Sequence, residues 1–297
     1  MTGRLSKLEQ DLTTIGTEVA ELAVKMQERY RNYLDILGES VYKQAIVAVY
    51  HLCTRSYPGE FLALSHTNRQ KLQEDIKALG QETRLSLKEL GEINLDRTTF
   101  AALEAPAGET GTIEQKKLLK ALLEKGGSEP VTEPIDNPDA LAHWCRAIEK
   151  SSVNILDHLS KKINHQLQQA YILPARLPGQ ILDMAIQAEN EGQSLGGGHN
   201  LLSVMIEAEN RDSDDEEDED EEQEREELIL PQKITKLTAI HLRLSEIEFA
   251  DTRLSIERNQ LRALWEQLEK IRERYRRTHR EYTIARAEAA WRSSWYD

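Results

Sequence analysis

An apolar residue at every seventh position constrains this chain more than any other feature. The series is Ile240, Ile247, Leu254, Leu261, Leu268, Tyr275, Tyr282, Ala289 and Tyr296. Seven residues is two helical turns, so these side chains line one stripe of a helix. Read as one unbroken helix, residues 234–296 would span roughly 95 Å. A helix of that length cannot bury its stripe alone and needs other helices or a second chain. The companion row begins apolar at Leu237 and Leu244 and then turns into Asp251 and Arg258. Its apolar partners migrate to Ala250, Leu264, Ile271 and Ala285. A straight helix drifts about 20° per heptad against a 3.5 repeat. The migrating stripe therefore favours packing against several helices of the same chain over one uniform homotypic coiled coil, which stands as the alternative.

The opening segment is also heptad-like. Leu5, Leu12, Val19, Met26 and Tyr33 form one row, and Leu8, Ile15, Leu22 and Ile36 the other, broken only by Arg29. Gly16 and Gly38 weaken it, and Gly38 predicts a stop or kink. Residues 41–53 are apolar nearly all round, as in an element buried on most sides. The turn at 57–60 ends it, and Leu72, Ile76, Leu79, Leu87 and Leu90 predict a helix over about 65–90. Asp136 or Asn137 before Pro138 reads as a helix start. That helix buries Leu141, Trp144, Ile148, Ile155, Leu159, Ile163 and Leu167 and stops before Pro174. Short helices are expected at 112–124 and after Pro178. Residues 201–208 suit a strand or a helical turn; helix is preferred, because no second strand-like segment offers a partner.

Charge is local. Residues 212–227 hold thirteen carboxylates against Arg225 alone, a net of −12, so the rest of the chain carries only −2 of the total −14. Such a block repels itself and stays disordered as a solubilising linker. The sharper reading makes it an intramolecular mask for Arg272, Arg274, Arg276, Arg277 and Arg280, hiding them from nucleic acid or an anionic surface. Two distant cysteines, Cys53 and Cys145, suit small core residues and a reducing compartment. No apolar stretch approaches the roughly 20 residues that span a bilayer, so the reading is cytoplasmic.

Sites of chemistry are not announced. GxxxxGK[ST], GxGxxG and HExxH are absent, and the one GxSxG, at 192–196, falls in the Gly-rich stretch read as a linker. Gly196–198 reads as a linker, since no Lys-Ser/Thr follows it. None of the eight histidines has Glu three residues before it, so the di-iron signature of helical bundles is missing. His158 and His165 share a helix face, but nothing supplies two further zinc ligands. No catalytic residue, cofactor or metal is expected. The tail, with Trp291, Trp295 and Tyr296, is aromatic enough to anchor a partner.

The expected fold class is all-α: an elongated, coiled-coil-like helical bundle with a long C-terminal helix and a disordered acidic insert. Its expected parts are an N-terminal helical unit at 1–95, a linker at 96–135 and central helices at 136–191. A flexible Gly-rich and acidic linker at 192–232 and the helix at 233–297 complete it. The expected function is a non-enzymatic scaffold or adaptor that binds protein partners, itself included. Leu254, Leu261, Leu268, Tyr275, Tyr282, Trp291, Trp295 and Tyr296 are its interaction residues. The alternative is a nucleic-acid or anionic-surface binder gated by the acidic segment.

Overall fold

The computed structural model describes residues 2–92, 135–174, 199–208 and 233–295. The short helices expected at 112–124 and after Pro178, Gly196–198, the acidic run and Tyr296 lie outside them. The protein is all-α in class, with six helices and one small hairpin among the described residues. Helices α1 (Thr2–His51), α2 (Pro58–Ala63), α3 (His66–Gly91) and α4 (Pro138–Gln169) come first. Strands β1 (Leu201–Ala208) and β2 (Lys233–Ile240) follow, then α5 (Leu244–Ala250) and α6 (Thr252–Ser293). Among the described residues, no helix is long and apolar enough to cross a membrane.

Two compact units divide the chain. One combines Met1–Lys43, Ala78–Leu159 and Arg243–Asp297; the other combines Gln44–Lys77 and Ser160–Leu242. They do not follow successive stretches of sequence, because α1, α3 and α4 each contribute to both.

In the first unit α1 is the common partner. Ser40 meets Asp251, Tyr30 meets Trp265, and Glu9 meets Tyr282, so α6 runs antiparallel to α1. From the first contact to the last, 31 residues of α1 match 31 of α6, roughly 46 Å of unbroken seam. Helix α4 runs parallel to α1, since Met26 faces Cys145 and Tyr30 faces Glu149, four residues further on in each. Helix α3 is antiparallel: Arg84 pairs with Glu39 at 3.3 Å, and Gly91 lies against Arg31. Helix α1 runs on to His51 and does not stop at Gly38. A Cβ there would sit 3.1 Å from Arg84 Cγ and 3.2 Å from its carbonyl oxygen, so the glycine is what admits α3 this closely. The core is built from the expected heptads, Val19, Leu22, Met26 and Tyr33 among them. On α4, Leu156 is buried where Ile155 was expected.

The second unit holds the hairpin, which corrects two expectations. Residues 201–208 are a strand rather than a helix, and residues 233–240, expected to begin the last helix, are its antiparallel partner. The register runs from Leu201↔Ile240 to Ala208↔Lys233. Thr238, Ala239 and Ile240 are all buried, so both faces of β2 are covered at that point. The C-terminal end of its outer edge is closed by side chains. The Tyr57 hydroxyl accepts from Thr238 N–H at 2.9 Å and donates to the Thr238 carbonyl at 3.1 Å. The Asn164 amide does the same for Ile240, both at 2.9 Å, and Ser160 Oγ accepts from Leu242 N–H at 3.0 Å. Three side chains at alternate backbone positions thus take the place of a third strand. Helix α4 ends in a Schellman arrangement, with Ile172 N–H on the Leu167 carbonyl and Tyr171 N–H on the Gln168 carbonyl. Tyr171 occupies the left-handed position, φ 59°, where glycine is usual.

Candidate interaction surfaces of the last helix

The stripe that dominated the sequence is largely satisfied within the chain. Leu254, Leu261 and Leu268 are fully buried in the first unit. Ile240 belongs to β2 and Ile247 to α5, so the seven-residue spacing crosses two breaks in the helix. The second break is Asp251, which has extended backbone angles and caps α6 by accepting from Arg253 N–H at 3.0 Å. The Ser40 hydroxyl donates to the same carboxylate at 2.6 Å.

Arg258, the other irregularity in the companion row, ties three elements together. It donates to Glu149 of α4 at 2.7 Å, pairs with Glu248 of α5 at 3.4 Å, and lies 5.8 Å from the centre of the Tyr33 ring. The Tyr33 hydroxyl donates to Glu248 at 2.5 Å. Tyr30 donates to Glu149 and accepts from Trp265 Nε1, both at 3.0 Å. Burial, reinforced by the adjacent carboxylates, pushes both tyrosine hydroxyls well above their ordinary pKa, so they stay protonated as donors. Burial also pushes the Cys145 thiol up and the Cys53 thiol up to about 12. These groups cross-link helices, and both cysteines behave as core residues.

The arginine cluster divides. Arg272 is only 8% exposed and pairs with Asp139 of α4 at 2.8 Å and with Glu269. Arg276 shares Asp139 at 2.9 Å, and Arg274 pairs with Glu18 of α1. Burial opposes ionisation of Asp139, yet the two guanidinium groups hold its carboxyl below the usual range. Arg277 and Arg280 are exposed and have no ion pair among the described residues.

Of the expected interaction residues, Tyr275 is half-buried and stacks on His279 at 5.6 Å, while half-buried Tyr282 donates to Glu9 at 3.1 Å. Trp291 and Trp295 are 66% and 72% exposed, with ring centres 5.8 Å apart, and Ile284 is 47% exposed. At 100° per residue, Arg277, Arg280, Ile284, Trp291 and Trp295 fall within an arc of about 60°. That arc faces away from the side that carries Tyr275 and Tyr282 onto α1. The seam register accounts for the exposed tryptophans: it aligns Thr2, where α1 begins, with about residue 289 of α6, so no part of described α1 covers them.

One feature escaped sequence reasoning. A groove of about 470 Å³ is lined by Arg146 and Glu149 of α4 and by Arg258, Arg262, Trp265 and Glu266 of α6. Trp265 lies off the leucine stripe, and only the antiparallel pairing of α6 with α4 brings it to Arg146. Among the described residues, no group of three or more His, Cys, Asp or Glu side chains is placed to hold a metal. His165 is hydrogen-bonded to Gln169 at 2.9 Å. No family model, no curated protein and no solved structure matches this chain.

Proposed function

We propose that this chain is a non-enzymatic helical scaffold or adaptor, and that it docks a protein partner on the outer face of the last turns of α6. The observation that carries the reading is the exposed pair Trp291 and Trp295 on one face with Ile284, Arg277 and Arg280. Trp and Arg are the side chains most often found at the energetic centre of protein interfaces. The polar groups of the interior support the same reading, because they join helices to one another. Since Leu254, Leu261 and Leu268 are already covered, self-association falls to this outer face and not to the leucine stripe.

A photo-crosslinking residue in place of Trp295 tests it, with the same residue at exposed Val24 of α1 as the control. The expected result, in cells and with the purified protein, is a discrete protein adduct at position 295 that is absent at 24. An adduct of the chain's own mass multiple identifies self-association. Equal labelling at both positions, or adducts with nucleic acid or lipid alone, would overturn the proposal.

The second reading, an anionic-surface or nucleic-acid binder, is supported by Arg277 and Arg280. Because Arg272, Arg274 and Arg276 already hold carboxylates of the chain, about two phosphate contacts remain. Log affinity for duplex DNA should then fall with log salt at a slope no steeper than about −1.8. A steeper slope would mean that the internal pairs open on binding and would favour this reading.

A further inference from the structure

We propose that the groove between α4 and α6 is a binding site for a small ligand that carries an oxyanion, carboxylate or phosphate, on a flat organic body. Its lining charges are unequal in kind. Arg258 and Glu149 satisfy one another at 2.7 Å. Arg146 and Arg262 have no ion pair among the described residues; Arg262 only reaches Asn259 at 3.5 Å, at the limit of a hydrogen bond. With Glu266 as the remaining acid, the unmatched lining carries one net positive charge.

The placement of Arg146 is what makes this more than two surface cations. Its guanidinium carbon lies over the Trp265 ring, 5.9 Å from the centroid. A guanidinium over an indole engages the ring through its face and leaves its N–H edge free. That edge is the fork that matches the two oxygens of a carboxylate or phosphate. The indole is itself fixed, because Trp265 donates to Tyr30 at 3.0 Å and Tyr30 donates to Glu149 at 3.0 Å. Arg262 stands one turn before Trp265 on the same helix, within reach of the same anion. Filling the site therefore orders the two arginine side chains and not the ring. The groove, about 470 Å³, is open to solvent along one side, so it would hold the ligand by one face. The exposed part of the Trp265 ring supplies the surface for the flat body.

The test uses the nitrogen-15-labelled full chain, whose four tryptophans give four indole N–H signals. Trp265→Phe assigns the signal of interest. Inorganic phosphate, benzoate and adenosine monophosphate are titrated into the millimolar range. The expected result is a saturable shift of the Trp265 signal with the two ring-bearing probes, while buried Trp144 stays in place as the control for folding. Arg146→Gln should weaken binding about tenfold, the equivalent of about 1.4 kcal/mol, and Arg146→Lys should restore only part of it, because the fork is lost. Phosphate alone binding as tightly as the ring-bearing probes would overturn the flat body. An unmoved Trp265 signal, or the same shift in an Arg146→Gln/Arg262→Gln variant that keeps its Trp144 signal, would overturn the site.

Discussion

Replacing Asp251 isolates the join between α5 and α6. Its carboxylate caps α6 and receives the Ser40 hydroxyl of α1 at 2.6 Å, and Ser40 is only 3% exposed. Losing an N-cap costs about 1 kcal/mol. Leaving a buried hydroxyl without its charged acceptor costs about 1–2 kcal/mol more. Asp251→Ala should therefore destabilise the protein by about 2–3 kcal/mol. Asp251→Asn keeps a good cap and should lose about half of that. The pH dependence separates the two contributions. The Arg253 guanidinium, with help from the Ser40 hydroxyl and the Arg253 N–H against the opposing effect of burial, holds the carboxyl at about 2 instead of 3.8. A carboxyl depressed in the folded state stabilises fully above its unfolded value and loses that contribution as pH falls through its folded value. After solvent screening the contribution is about 1–2 kcal/mol, lost between about pH 4 and pH 2. Urea unfolding followed by tryptophan fluorescence, at neutral pH and across that window, measures each quantity. The reasoning fails if Asp251→Ala shifts stability by less than about 0.5 kcal/mol. It fails equally if the effects of Ser40→Ala and Asp251→Ala simply add, or if the wild type and Asp251→Asn lose stability in parallel below pH 4.

Leu261→Ala should destabilise the monomer by about 2–5 kcal/mol, read from the urea midpoint. If light scattering instead finds a stable monomer released from a dimer, the leucine stripe joins chains and is not internal. Tyr171→Gly should stabilise by about 0.5–1 kcal/mol, since the side chain is 84% exposed and the residue has φ 59°. A loss of stability there would mean that the tyrosine ring contributes more than its backbone strain costs.

The helices were legible because their signals are local. Asn137 and Pro138 mark the start of α4 in the sequence, and Asn137 Oδ1 does accept the Asp139 N–H at 2.8 Å. The apolar residues of α3 at 72, 76, 87 and 90 are buried as their spacing predicts. The hairpin was missed because its strands are separated by residues 209–232, so neither has a partner within a short window. Ile234, Leu237 and Ile240 also fit a helical period, which disguised a β-branched segment that includes Thr235 and Thr238. Asp251 and Arg258 looked like faults in a heptad row. They are a cap and a three-way ion pair, and only their partners on α1, α4 and α5 say so. The groove was invisible for the same reason: its two sides are more than a hundred residues apart in sequence, at Arg146 and Arg262.

The closed edge of β2 bears on how this chain behaves when crowded. A two-stranded hairpin ordinarily offers a foreign strand a row of open backbone groups, the first step of runaway assembly. Here Tyr57, Asn164 and Ser160 already occupy the end of that row, from Thr238 to Leu242. They come from α4 and from the bend before α2 and not from a neighbouring strand, so they cannot pass the pattern on to another molecule. Strand addition at Thr238 and Ile240 is blocked by the native fold itself, and the protection there lasts as long as α4 stays docked against the strand.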